Sequence, residues 1–229
     1  MQAAYTATEP RGSTAARHDP HLAIANTSRP RLLAVHHSRS RRHFIVSLPD
    51  KTPDFYVEIS VYTPGKPDIT LHSGPDKTGP VLGVSKFVTL SSGSKIALGD
   101  PDMHGIVWED LKKTSFDHSK YEWQMTIYPH RDPQGERRAF AWKRTHSVGI
   151  DGSKPPWFSG LNLKLIDDQT NEILAVFTGS SSWSKRGTFQ INKDYGREFD
   201  IMVLLSGMTI LERAQRRSSG GGGGGDGGG

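Results

Sequence analysis

Six of the cations between positions 137 and 186, paired or clustered and interspersed with tryptophans, are the strongest candidates for binding an anion. Arg137, Arg138, Lys143 and Arg144 share one short stretch, Arg131 precedes it, and Lys185-Arg186 follow; Trp142 and Trp183 lie among them. Guanidinium and ammonium groups hydrogen-bond phosphate oxygens, and indole rings favour the boundary between water and hydrocarbon. The mixture suits an anionic phospholipid or phosphoinositide headgroup at a membrane surface. Against it stands the plainer reading of a solvated strand face, with acids such as Glu136 beside the cations.

Other groupings carry less. Five of the ten histidines (His18, His21, His36, His37, His43) fall in the first 43 residues, and His36-His37 is at best a weak, stray metal ligand pair. Thr145-His146-Ser147 with Asp151 supplies the residue types of a hydrolase triad. No Gly-x-Ser-x-Gly elbow accompanies it, and residues so close in sequence cannot converge as a triad requires. Asp100-Pro-Asp-Met-His-Gly105 imitates a calcium loop, but Leu111 stands where the bidentate glutamate belongs, so an aspartate-capped turn is expected. The glycines at 220–225 precede neither a lysine nor a helix, which excludes a phosphate loop. There is no cysteine, hence no disulfide, zinc-thiolate site or thiol nucleophile. Arg216-Arg217-Ser218-Ser219 resembles a target of basophilic kinases, a signal of low specificity. No catalytic residue, metal or cofactor is expected.

The charge divides along the chain. Of 29 Lys and Arg residues, seven arginines precede position 44 against only Glu9 and Asp19 among the 24 acids, leaving 22 of each sign in the remainder. The pI of 9.4 therefore describes the N-terminal part, and the rest is close to neutral. Nucleic acid is expected to bind only non-specifically, through that basic segment. The first thirty residues hold no apolar stretch long enough for a secretory signal. The first 43 residues, with Arg and Ser and few acids, admit a mitochondrial transit peptide, although Pro10, Pro20 and Pro30 interrupt any long amphipathic helix. With no cysteine framework, a cytoplasmic or nuclear setting is expected.

The elements that must position any site are short. Residues 1–50 are low in periodic apolar content and are expected to be a disordered basic tail; 219–229 are expected to be a flexible glycine-rich tail. Between them, ten bursts of β-branched, aromatic or alternating residues begin near positions 55, 69, 81, 95, 106, 121, 138, 161, 173 and 188. Pro64-Gly65, Ser92-Gly93, Asp132-Pro133 and Asp151-Gly152 mark the turns, and Asp168-Gln-Thr-Asn171 reads as a hairpin connection. About ten short strands at this spacing make a mainly β sandwich or barrel.

The pattern breaks at Phe199. From there to Leu211 the chain is apolar on every face of a helical wheel, and it runs into Glu212-Arg-Ala-Gln-Arg-Arg217, whose cations suit a helix C-terminus. A helix apolar all round must be enclosed, and this run falls well short of the roughly twenty residues a bilayer needs. No transmembrane span is expected. A helix over about 197–217 would fill the lumen of a curled sheet, with Ser206 and Gly207 letting a bulky aromatic approach its axis.

The blocks PDITLHSGPDKTGPVLGVSKF (67–87), ERRAFAWKRTHSVG (136–149), EILAVFTGSSSWSKRG (172–187) and YGREFDIMVLLSGMTILERAQRRSS (195–219) resemble the tubby C-terminal-like superfamily, in its uncharacterised fungal branch. The resemblance runs from Asp54 to Ser218. It implies a closed barrel of about twelve antiparallel strands around a hydrophobic C-terminal helix. The superfamily also holds phosphoinositide-binding tubby proteins, LURP-one-related proteins and phospholipid scramblases, so fold does not carry function. The tubby lipid site uses a Lys-x-Arg pair, and no such spacing occurs here; Lys143-Arg144 and Lys185-Arg186 are adjacent and would point to opposite faces of a strand. The expectation is a non-enzymatic module that binds anionic phospholipid or a protein partner on the barrel exterior through Arg137, Arg138, Lys143, Arg144, Lys185 and Arg186. The alternative is a scramblase-like lipid transporter that uses the apolar helix as a membrane insert.

Overall fold

The computed structural model describes residues 29–61, 63–128 and 134–220. Twelve strands follow one another as a meander. They are β1 (Arg31–His37), β2 (Phe44–Ser47), β3 (Pro53–Ile59), β4 (Ile69–Ser73), β5 (Val81–Phe87) and β6 (Ser94–Leu98), then β7 (Trp108–Lys113), β8 (Lys120–Ile127), β9 (Glu136–Arg144), β10 (Leu163–Asp167), β11 (Ile173–Gly179) and β12 (Lys185–Ile191). Each pairs antiparallel with the next, and β12 pairs back to β1, from Arg31 opposite Ile191 to Val35 opposite Gly187. The sheet closes into a barrel without a free edge.

Each of the ten expected bursts overlaps a strand, and Val81–Phe87 matches β5 residue for residue. The expected boundary at residue 50 is corrected: β1 and β2 lie inside the segment read as a tail, so the barrel begins at Arg31. Both strands alternate, with Leu33, Val35, Phe44 and Val46 buried. Only two inward apolar residues per strand, flanked by basic ones, gave the alternation too little length to be seen. Residues 1–28 and the glycines after 220 lie outside the described residues.

One helix, α1 (Arg197–Gly220), starts where expected and ends three residues later than expected. It occupies the lumen, with residues 201–212 buried on every face. Trp142 Nε1 on β9 donates to Ser206 Oγ at 2.8 Å, and Phe199 stacks near Trp123 of β8 and Phe140 of β9. A Cβ on Gly207 would lie 2.6 Å from a ring carbon of Phe189 on β12, so only glycine allows that approach. On the opposite wall Gly83 of β5 faces Leu205 and Ile201. Among the described residues no helix is long and apolar enough to cross a membrane.

The meander gives the barrel two unlike ends. At the end where α1 enters, Arg31 holds Asp200 with two hydrogen bonds, at 2.8 and 2.7 Å, which ties the first strand to the helix. Burial pushes the Asp200 carboxyl up, and Arg31 opposes the shift. At the end where α1 leaves, Arg213 donates to the carbonyls of Ser91 and Gly93 in the β5–β6 hairpin. Arg216 binds Glu212, Asp68 and the Ser60 carbonyl there.

Candidate functional site at the helix-exit rim

The six expected site residues do not form one patch. Arg137 and Arg144 are seven residues apart on one strand, about 23 Å. Arg137 sits toward the helix-entry end and makes a two-pronged bond to Glu109. Arg138, beside it on the lip, binds Glu136 at 2.7 Å, Asp167 at 3.2 Å and the Tyr195 hydroxyl at 3.1 Å. Those carboxylates hold both guanidinium groups further into their charged form, opposed by burial. Both cations are already neutralised by carboxylates. Lys143 faces outward on the barrel wall, in register with Lys120 and Lys164 on the neighbouring strands. Arg131 lies outside the described residues.

Arg144, Lys185 and Arg186 are at the other end, around the C-terminus of α1. Arg186 is the extra residue of a bulge: β1 passes from Val35 opposite Gly187 to His36 opposite Lys185. Burial works against its charge, and Glu212 of the helix offsets this. The helix arginines that complete this rim read in the sequence only as a helix C-terminus and a kinase-like motif, and His118 carried no signal. An open groove of about 370 Å³ is lined by Phe87, Leu90, Ser91, Ser92, His118, Arg213, Arg216 and Arg217. The groove has its cations where the helix dipole favours them.

His118 reports the field in this groove. It is half-buried, its Nδ1 lies 3.3 Å from the Tyr121 hydroxyl, and its backbone is left-handed at φ 58°. Its pKa is lowered first by burial and then by Arg217, Lys113, Arg144 and Arg213. Four cations therefore act on one imidazole. Arg213 is occupied by backbone carbonyls and Arg216 by carboxylates. Lys113 reaches only the Phe116 carbonyl, at 3.5 Å. Arg144 and Arg217 are absent from the ion pairs found among the described residues. A cluster of free donors beside serine hydroxyls can receive a phosphate.

Charge is segregated along the barrel axis. The hairpins at the entry end carry Asp50, Asp76, Asp100, Asp102, Asp168, Glu172 and Asp194 against Lys51, Lys77 and Lys193. Those at the exit end carry Arg39, Arg41, Arg42, Lys66 and Lys154, in addition to the helix arginines; of the acids there, Asp68 and Glu212 are bound to Arg216, and Asp117 and Asp151 stand in the β7–β8 and β9–β10 connections. The barrel thus has an acidic end and a basic one, and Arg39, Arg41 and Arg42 of the first hairpin supply much of the excess at the basic end. A count along the chain cannot show this, because a meander sends alternate turns to opposite ends.

The remaining motifs take structural roles. Thr145 Oγ1 accepts from the Ser147 and Val148 N–H groups, the Asp151 N–H donates to Gln190 Oε1, and His146 is exposed. Asp100 caps a turn by accepting from the Asp102 N–H at 3.0 Å. Asp167, buried, accepts from Gln169 and Thr170 in the hairpin expected there. The Ser218 and Ser219 hydroxyls donate to the Gln215 carbonyl on the last helical turn. No group of three metal-ligating side chains occurs among the described residues.

These features define a twelve-stranded antiparallel barrel closed on an apolar C-terminal helix, with a basic rim where that helix leaves. No family profile and no curated protein matches the chain. Among solved structures it is similar to an X-ray structure of an Arabidopsis thaliana protein, at 14% identity and a TM-score of 0.45, over 79% of this chain and 91% of that one.

Proposed function

We propose that this chain is a non-enzymatic module that binds anionic phospholipid headgroups at the cytoplasmic face of a membrane, through the rim where α1 leaves the barrel. The observation that carries this reading is the set of unpaired cations Lys113, Arg144 and Arg217 around His118, at the basic end of a barrel whose other end is acidic. The lumen is filled by α1, so a ligand must bind outside. The apolar run that a scramblase-like insert would need is the same run that packs the lumen, with Val203 and Leu204 wholly enclosed.

The test is co-sedimentation of the full chain with phosphatidylcholine vesicles, with and without phosphatidylserine or a phosphoinositide, at low and high salt. A juxtamembrane cation contributes about 1 kcal/mol at an anionic surface. Lys113→Ala, Arg144→Ala and Arg217→Ala combined are expected to weaken binding about a hundredfold. Arg137→Ala, at the opposite end, should leave it unchanged. Failure to bind anionic vesicles at low salt, or an equal loss in both variants, would overturn the reading.

A further inference from the structure

We propose that the barrel docks end-on, with the hairpin tips Leu90, Phe116 and Trp183 entering the interfacial layer of an anionic bilayer while the rim cations meet its headgroups. The inference rests on the headgroup reading above and adds an orientation and an insertion step. Leu90 joins β5 to β6, Phe116 joins β7 to β8, and Trp183 joins β11 to β12, so all three stand at the exit end. The three residues are exposed to 104%, 99% and 83%.

The loops that carry them are held by hydrogen bonds, and the tips stand out into solvent. Ser115 Oγ accepts from the Ser119 and Lys120 N–H groups, both at 2.8 Å, and fixes the turn that presents Phe116. Arg213 clamps the β5–β6 turn from the helix, yet Leu90 at its apex stands fully exposed at the edge of the groove and is held at φ 59°. Left-handed backbone suits glycine or asparagine, and a leucine there is strained. An apolar side chain that costs stability and is fully wet gains nothing in the free protein. Such strain points to function. The third turn is laced by Ser180, Ser182 and Ser184, and Arg41 of the neighbouring hairpin lies 5.2 Å from the Trp183 ring.

The occupant follows from shape and charge. The three tips stand on separate hairpins around the circumference and do not merge into one groove. A protein partner reaching all of them would have to be as broad as the barrel, whereas a bilayer is a flat apolar layer beneath an anionic sheet. Leucine and aromatic tips beside arginines match that order of layers. The entry end also exposes apolar side chains, Met103 and Val107, but its loops are acidic and anionic lipid would repel them.

Because the chain has no cysteine, single substitutions Leu90→Cys, Phe116→Cys and Trp183→Cys each take one environment-sensitive dye. Met103→Cys serves as the opposite-end control. With phosphatidylcholine–phosphatidylserine vesicles the three tip dyes should brighten, shift to the blue and be quenched by nitroxide on the lipid chains, while the control stays unchanged. Changing any one tip to Ser should weaken partitioning about tenfold and leave the thermal midpoint unchanged or raised. If the vesicles sediment the protein and no tip dye responds, end-on insertion is wrong while headgroup binding stands. If the vesicles do not sediment it at low salt, both fall. Tip dyes that respond to protein concentration without lipid would instead reveal self-association and overturn the inference.

Discussion

Arg138 and Arg217 carry the same charge, and their surroundings give them opposite roles. Arg138 holds Asp167, whose side chain is only 2% exposed, together with Glu136 and Tyr195. Arg138→Ala leaves a buried carboxylate short of a donor and is expected to cost roughly 2 kcal/mol in urea unfolding, with vesicle binding intact. Titration gives a second test at this scale. His36, His43 and His118 each sit below the ordinary imidazole value of 6.5, first because burial disfavours the cation. The unfolded chain protonates these rings near 6.5, and the folded chain does so only at lower pH. Between the two values the unfolded state binds more protons, so stability falls as pH drops through that window. The urea midpoint should be lower at about pH 5.5 than at about pH 7.5. His36→Gln, His43→Gln and His118→Gln combined should flatten the difference. An unchanged slope would refute this account.

Among the elements, α1 acts as the core on which the sheet closes. Gly207→Leu would drive a side chain into Phe189 and Trp142 and should leave no cooperative unfolding transition. Ser206→Ala is gentler and more diagnostic. It removes the acceptor of the Trp142 indole N–H, whose side chain is fully buried, and should cost about 1–3 kcal/mol. Adding Trp142→Phe to Ser206→Ala should cost less than the two single losses together, since the pair vanishes with both partners. Strict additivity would mean that the bond contributes little. The apolar circumference of this helix was legible from Phe199 to Leu211, because thirteen residues without a polar face leave enclosure as the physical solution. β1 and β2 were not legible. Their inward sets, Leu33 with Val35 and Phe44 with Val46, are too brief to stand out among Arg31, Arg39, Arg41 and Arg42.

At the scale of the whole molecule, closure makes β1 indispensable. It pairs with β2 on one side and β12 on the other, and Arg31 reaches Asp200 on the helix. A fragment beginning at residue 51 lacks two staves and exposes the edges of β3 and β12. It is expected to aggregate or remain unfolded by circular dichroism, while one beginning at residue 29 folds. Equal thermal midpoints for the two fragments would show that the closing strands are dispensable.

Local periodicity was enough to read the strands with long alternation, the turns that separate them and the enclosed helix from the amino-acid order. The sequence also excluded thiol chemistry. It could not show that Arg137 and Arg144, on one strand, belong to opposite ends of the molecule. It could not show that the barrel is polarised along its axis, with Arg39, Arg41 and Arg42 of the first hairpin joining the helix arginines at one end. Those facts depend on register and closure: antiparallel pairing sends each successive turn to the other end, and only the closed barrel gathers Lys113, Arg144, Arg213 and Arg217 around His118. The cations that face phosphate in the proposed function are those for which the fold supplied no carboxylate.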